Sequence, residues 1–177
     1  MKSAPWLPTP WAATTLAGMT LALTVCSSEG DSPFEPALPS AGSPVPGLAE
    51  AAHLYSAYYS GLKDSLRLIV SDGATWAGIW DQMQAPVSPP PQLPAIDFDQ
   101  EMVLVTALGE RTTGGYAITI DSLSTGRGIL VVYLSKRSPG SRCVVTQALS
   151  QPVDVVRAPR QSGPVVFDES TGTEDCS

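Results

Sequence analysis

The sequence predicts a mainly β fold of the α+β kind: a compact antiparallel sheet or sandwich of about seven short strands with one packed amphipathic helix. Three observations predict it. From Leu66 to Phe167, short apolar segments recur between Gly- and Pro-containing turns. Only one segment in that region, Thr75–Gln84, carries a strong helical stripe. Gly and Pro number 15 and 17 of 177 residues, and part of that excess lies in stretches that carry neither periodicity.

The first twenty-five residues are expected to be a signal peptide. Lys2 is the only charge before Glu29, and Ala12–Val25 is a mostly apolar run of fourteen. A membrane-spanning helix needs about 20 such residues, so the run suits the apolar core of a secretory leader instead. Leu23-Thr24-Val25-Cys26 resembles a bacterial lipobox, with Leu23 and Cys26 in place and Val25 where a smaller residue is usual. That resemblance implies acylation of Cys26 and a lipid anchor at the bacterial cell envelope; a secreted or periplasmic form without lipid is the alternative. Residues 26–64 form the expected linker, with Pro33, Pro36, Pro39, Pro44 and Pro46 in a spacer unable to bury enough surface to offset its ordering entropy. Within it, Leu54, Tyr55, Tyr58 and Tyr59 fall at helical spacing, and His53 reads as a solvated side chain.

The globular domain is expected over residues 65–168, with 169–177 as a C-terminal tail. Leu66, Leu68 and Val70 mark a strand. Asp72 is placed to cap a helix on which Trp76, Ile79, Trp80 and Met83 line one face, and Pro86 bounds that helix. Five prolines between Ala85 and Pro94 exclude helix and central strand there. Asp97, Asp99 and Glu101 alternate; three carboxylates entering a strand read as a turn rather than a Ca²⁺ site, which takes six to eight oxygens. Met102–Val105 is an unbroken apolar run, hence a strand covered on both faces. Strands then follow at Tyr116–Leu123, Ile129–Leu134, Cys143–Leu149, Val153–Arg157 and Pro164–Phe167, with turns at Ser122–Gly128 and Pro139-Gly140.

Several function classes are disfavoured by composition. Net charge is −7 with ten Lys and Arg, so no basic field exists for nucleic acid. One histidine excludes His-rich metal sites, and no nucleophile–base spacing is recognisable, so neither enzyme, metal nor cofactor is expected. The one loop with binding character is Gly109–Tyr116. It places Arg111, Thr112, Thr113, Gly114, Gly115 and Tyr116 between two strands, where paired glycines permit close backbone approach.

Those pieces resemble the C-terminal domain of the PrcB family, the protease complex stabilising subunit. The resemblance rests on Trp76 and Trp80 as W-x-x-x-W, Ile96-Asp97-Phe98, and Gly109-x-Arg111-Thr112-Thr113-Gly114-Gly115-Tyr116. Pro139-Gly140-x-x-Cys143, Thr146-Gln147 and Ser150-x-Pro152 continue it, over about residues 66 to 167. Thr112 stands where proline is more typical. The family implies a non-catalytic exported domain that binds and stabilises an extracytoplasmic protease complex. Arg111 and Tyr116, residue types that dominate interface energetics, make residues 111–116 the expected partner-binding loop. The alternative is a peptidase inhibitor, because Thr112–Tyr116 is similar to the T-T-G-Y loop of chagasin-like inhibitors, with an extra glycine. With Cys26 acylated, Cys143 and Cys176 remain as a candidate disulfide in an oxidising compartment, though Cys143 matches the family pattern without needing a tail partner.

Overall fold

The computed structural model describes residues 43–44 and 53–176, within the compact unit that spans Leu38–Ser177. The expected signal peptide, Cys26 and most of the linker lie outside the described residues.

Eight strands and one helix make three layers. One sheet is antiparallel throughout, in the order β2 (His53–Ala57), β7 (Val153–Pro159), β4 (Glu101–Ala107), β3 (Leu66–Val70). The other runs β1 (Ser43–Pro44), β5 (Ala117–Gly126), β6 (Ile129–Pro139), β8 (Val165–Glu174). Helix α1 (Gly73–Gln84) covers the outer face of the first sheet.

β4 is apolar from Met102 to Val105 because both its faces are buried. Val103, Val105 and Ala107 pack with Val70, Val153, Val155 and the helix. Met102 and Leu104 point the other way, onto Ile120, Leu123, Leu130 and Val132 of the second sheet. An antiparallel sheet usually keeps one wet face; here α1 removes it. The helix forms as its spacing predicts. Asp72 accepts from the Thr75 amide at 2.9 Å, and that bond holds its carboxyl below the usual range. Trp76, Ile79, Trp80 and Met83 are buried, with the indole centroids 5.3 Å apart and Tyr55 edge-on to Trp80. Each indole N–H needs an acceptor once buried. The Pro-rich segment supplies both: Trp76 Nε1 donates to the Pro94 carbonyl at 2.9 Å and Trp80 Nε1 to that of Pro91 at 3.2 Å. Asp97, Asp99 and Glu101 close a turn, with Asp97 Oδ1 accepting from the Asp99 amide.

The structure departs from the sequence expectations in four places. Order begins before Ser65: His53–Ala57 is a strand on the open edge of β7, not a helical turn. Pairing with an edge outweighs a weak local periodicity, and Tyr58 and Tyr59 fall beyond the strand, exposed. β5 continues to Gly126 through the expected turn at Ser122–Gly128. A bulge between Ile120 and Ser122 shifts its alternation, so Ile118, Ile120 and Leu123 all face inward and the period-2 signal breaks at Asp121. The chain reverses at Arg127-Gly128 alone, where φ is 51° and 77°, as a type I′ hairpin requires. Cys143–Leu149 is a loop, not a strand; its backbone partners are in the loop before β5. Finally, residues 169–174 are not a tail. They belong to β8, which lies parallel to β6 over ten residue pairs, the one parallel pairing among the described residues. The connection from β7 crosses between sheets, so no hairpin imposes an antiparallel mate. Cys143 and Cys176 are joined by a disulfide, Cα atoms 4.8 Å apart, which fastens the end of β8 to the 143–149 loop.

Candidate functional site

The loop between β4 and β5 is tied down along its length. Leu108 donates its amide to the Pro152 carbonyl and Glu110 to that of Lys63. Arg111 and Ser150 exchange both backbone bonds, at 2.7 and 3.0 Å, as an isolated bridge. Ser150 is buried, and its hydroxyl donates to the Thr113 carbonyl at 2.7 Å. The Gly114 amide donates to the Thr146 carbonyl at 2.9 Å. The two glycines make this clamp fit. A Cβ on Gly114 would lie 2.3 Å from Thr146 Oγ1. Gly115 has φ +86°, and its Cβ would lie 2.9 Å from Val145 and 3.0 Å from Pro139.

The six expected site residues therefore divide. Gly114 is buried and Thr113 half-buried, while Thr112 and Gly115 are exposed. Tyr116 is half-buried against Leu108, Ile118 and Leu134. Arg111 is half-buried too. Its Nη2 donates to the Leu108 carbonyl at 2.8 Å, and its guanidinium carbon lies 5.8 Å from the centroid of the Tyr116 ring. Its Nε is buried and has no partner among the described residues.

Two open clefts flank the loop. One, of about 230 Å³, is lined by Leu108, Arg111, Tyr116, Lys136, Arg137 and neighbours on β6 and β8. The other, of about 280 Å³, is lined by Tyr58, Tyr59, Gly114, Gly115, Thr146, Glu174 and again Arg137. Tyr58 and Tyr59 are 62% and 51% exposed, and Val144 on the adjoining loop is fully exposed. Large apolar and aromatic side chains thus gather in the open around a fixed backbone.

With that geometry in view, comparison with known families gives one match. Residues 102–159, from β4 to the end of β7, match the PrcB C-terminal family. The match supports a PrcB-like C-terminal domain over those residues. The matched segment contains the whole 111–116 loop and Ser150 and Thr146 that clamp it. No curated protein and no solved structure matches the chain.

Tyr58, Tyr59 and Arg137 had no signal in the sequence as site residues: the tyrosines sat in a presumed linker and Arg137 between a presumed strand and a presumed turn. A second group was also missed. His53 Nδ1 lies 2.8 Å from Oδ1 of Asp154, which is 1% exposed, and Asp154 Oδ2 accepts from the Ile120 amide at 2.7 Å. This carboxylate joins three strands, β2, β7 and β5, across the two sheets. An oriented His–Asp pair also invites comparison with a catalytic dyad, yet among the described residues no hydroxyl or thiol hydrogen bonds to the imidazole. Its evident work is structural.

Proposed function

We propose that this protein is a non-catalytic, exported accessory protein, lipid-anchored through Cys26 at the bacterial cell envelope. Its PrcB-like domain binds and stabilises a protein partner, an extracytoplasmic protease complex. The observation that carries the reading is the match over residues 102–159, and the clamped 111–116 loop within that segment is where we place contact. A loop whose backbone is already fixed loses little entropy on binding, and Tyr and Arg dominate interface energetics because each joins large area to a directional polar group. The same clamp speaks against the inhibitor alternative. An inhibitory loop must project into a cleft, whereas here Gly114 is buried and Thr113 is held by Ser150.

Crosslinked capture from the native envelope tests the proposal. A protease should co-purify with the wild-type chain and be depleted with Arg111→Ala. Stoichiometric inhibition of a papain-type protease by the purified chain, with no complex recovered, would favour the inhibitor reading and overturn this one. Labelling with palmitate should mark the wild type and not Cys26→Ala; equal labelling would remove the lipid anchor.

A further inference from the structure

The cleft beside Arg111 has a charge that the rest of the molecule does not explain. The chain carries −7 overall, yet three of the residues lining this concavity are Arg111, Lys136 and Arg137 and none is acidic. Lys136 is neutralised by Glu169 at 2.7 Å. Arg111 and Arg137 are not: among the described residues neither has a carboxylate within salt-bridge distance. The Arg111 guanidinium is held in place by the Leu108 carbonyl and stacked on Tyr116, with its Nε buried and unpartnered. It is positioned, and most of its donors are unused. Arginine is the residue that takes a carboxylate through two parallel bonds.

The neighbouring cleft has the opposite character. Exposed Tyr58 and Tyr59 line it beside Glu174, and Arg137 lines both. A carboxylate is repelled from the Glu174 side and attracted to the Arg111 side, while an apolar or aromatic side chain finds its partners at the tyrosines. We infer that the two clefts together receive an extended acidic peptide segment of the partner protein, with a carboxylate between Arg111 and Arg137 and an adjacent apolar or aromatic residue against Tyr58 and Tyr59. This deepens the accessory-protein reading and rests on it for the identity of the partner, not for the chemistry of the site.

The test uses the full chain and a fluorescein-labelled, capped pentapeptide with one tyrosine followed by two glutamates between alanines. Its counterpart carries glutamines in place of the glutamates. Anisotropy should rise with the acidic peptide, weaken as salt is added, and stay flat with the counterpart. Arg137→Gln, at an exposed side chain with no described hydrogen bond, should fold normally and bind more weakly by roughly tenfold or more, the loss expected for one charge-assisted bond. Arg111→Gln should show a loss at least as large. Equal binding of both peptides, unchanged binding by Arg137→Gln, or no binding at millimolar peptide would each overturn the inference. Succinate binding as tightly as the peptide would also overturn it, in favour of a small-molecule site. Loss of peptide binding at Arg137→Gln while the protease is still captured from the envelope would refute this docking mode and leave the accessory reading standing; peptide binding with no protease captured would do the reverse.

Discussion

Asp154 is a buried carboxylate whose loss should be felt in both sheets. Asp154→Ala removes the acceptor of the buried Ile120 amide and of the His53 imidazole. A buried donor left without a partner costs about 1–3 kcal/mol. The bond to His53, which is 45% exposed, adds about 1 kcal/mol at most. The small cavity adds to both, so about 2–4 kcal/mol should be lost. Asp154→Asn should behave differently. Its amide oxygen can accept from Ile120 and its NH₂ can donate to a neutral imidazole, so it should cost about 1 kcal/mol or less. His53→Ala should also cost about 1 kcal/mol, because the freed oxygen then faces a wet edge. Urea unfolding of the three variants, read at constant m, gives the ordering directly. If Asp154→Ala costs less than about 1 kcal/mol, or if Asn costs as much as Ala, the carboxylate is not satisfying Ile120 and the reasoning fails.

Three further outcomes are expected. Trp76→Ala and Trp80→Ala should each destabilise by about 3–5 kcal/mol, since both indoles are buried and each change also takes the N–H donor from a carbonyl of the Pro-rich segment; calorimetry would show it. Cys176→Ser should cost up to about 4 kcal/mol by the loop-entropy estimate for a separation of 33 residues, and non-reducing mass spectrometry should find neither Cys143 nor Cys176 as a free thiol. Glu169 accepts from Arg67 at 2.6 Å and pairs with Lys136, and the Arg67 hydrogen bond is the main cause of its lowered pKa. A carboxyl lowered on folding stabilises above its unfolded value, 4.5, and loses that contribution as pH falls through the folded one. The stability gap between wild type and Glu169→Gln should therefore be present at pH 7 and shrink below about pH 4.5.

What could be read from the sequence follows the strength of local signals. α1 was fully legible, because a cap, a four-residue stripe and a following proline all agree. β4 was legible because an unbroken apolar run of that length has few other uses. Elements at the rim were not. β2 and the end of β8 are edge segments rich in Ser, Thr, Glu and Tyr, and their pairing is set by β7 and β6 rather than by their own pattern. The bulge at Asp121 imitated a turn, and the β-prone run Cys143–Leu149 was held as a loop by Gly114 on Thr146 and by Arg111 on the adjoining Ser150. The candidate site was half legible. Its glycine clamp left a motif, but the tyrosines and Arg137 around it come from distant segments that only the fold assembles. His53 with Asp154, 101 positions apart, left none.

The most direct test of the central claim is site-specific photocrosslinking in the native envelope. A photoreactive amino acid at Thr112 or Tyr59, both exposed beside the clamped loop, should form adducts with a protease subunit. The same group at Asp81, exposed on the outer helix, should form none. Adducts of equal yield from Asp81, or protease adducts from Asp81 alone, would place the partner on another face and contradict the account.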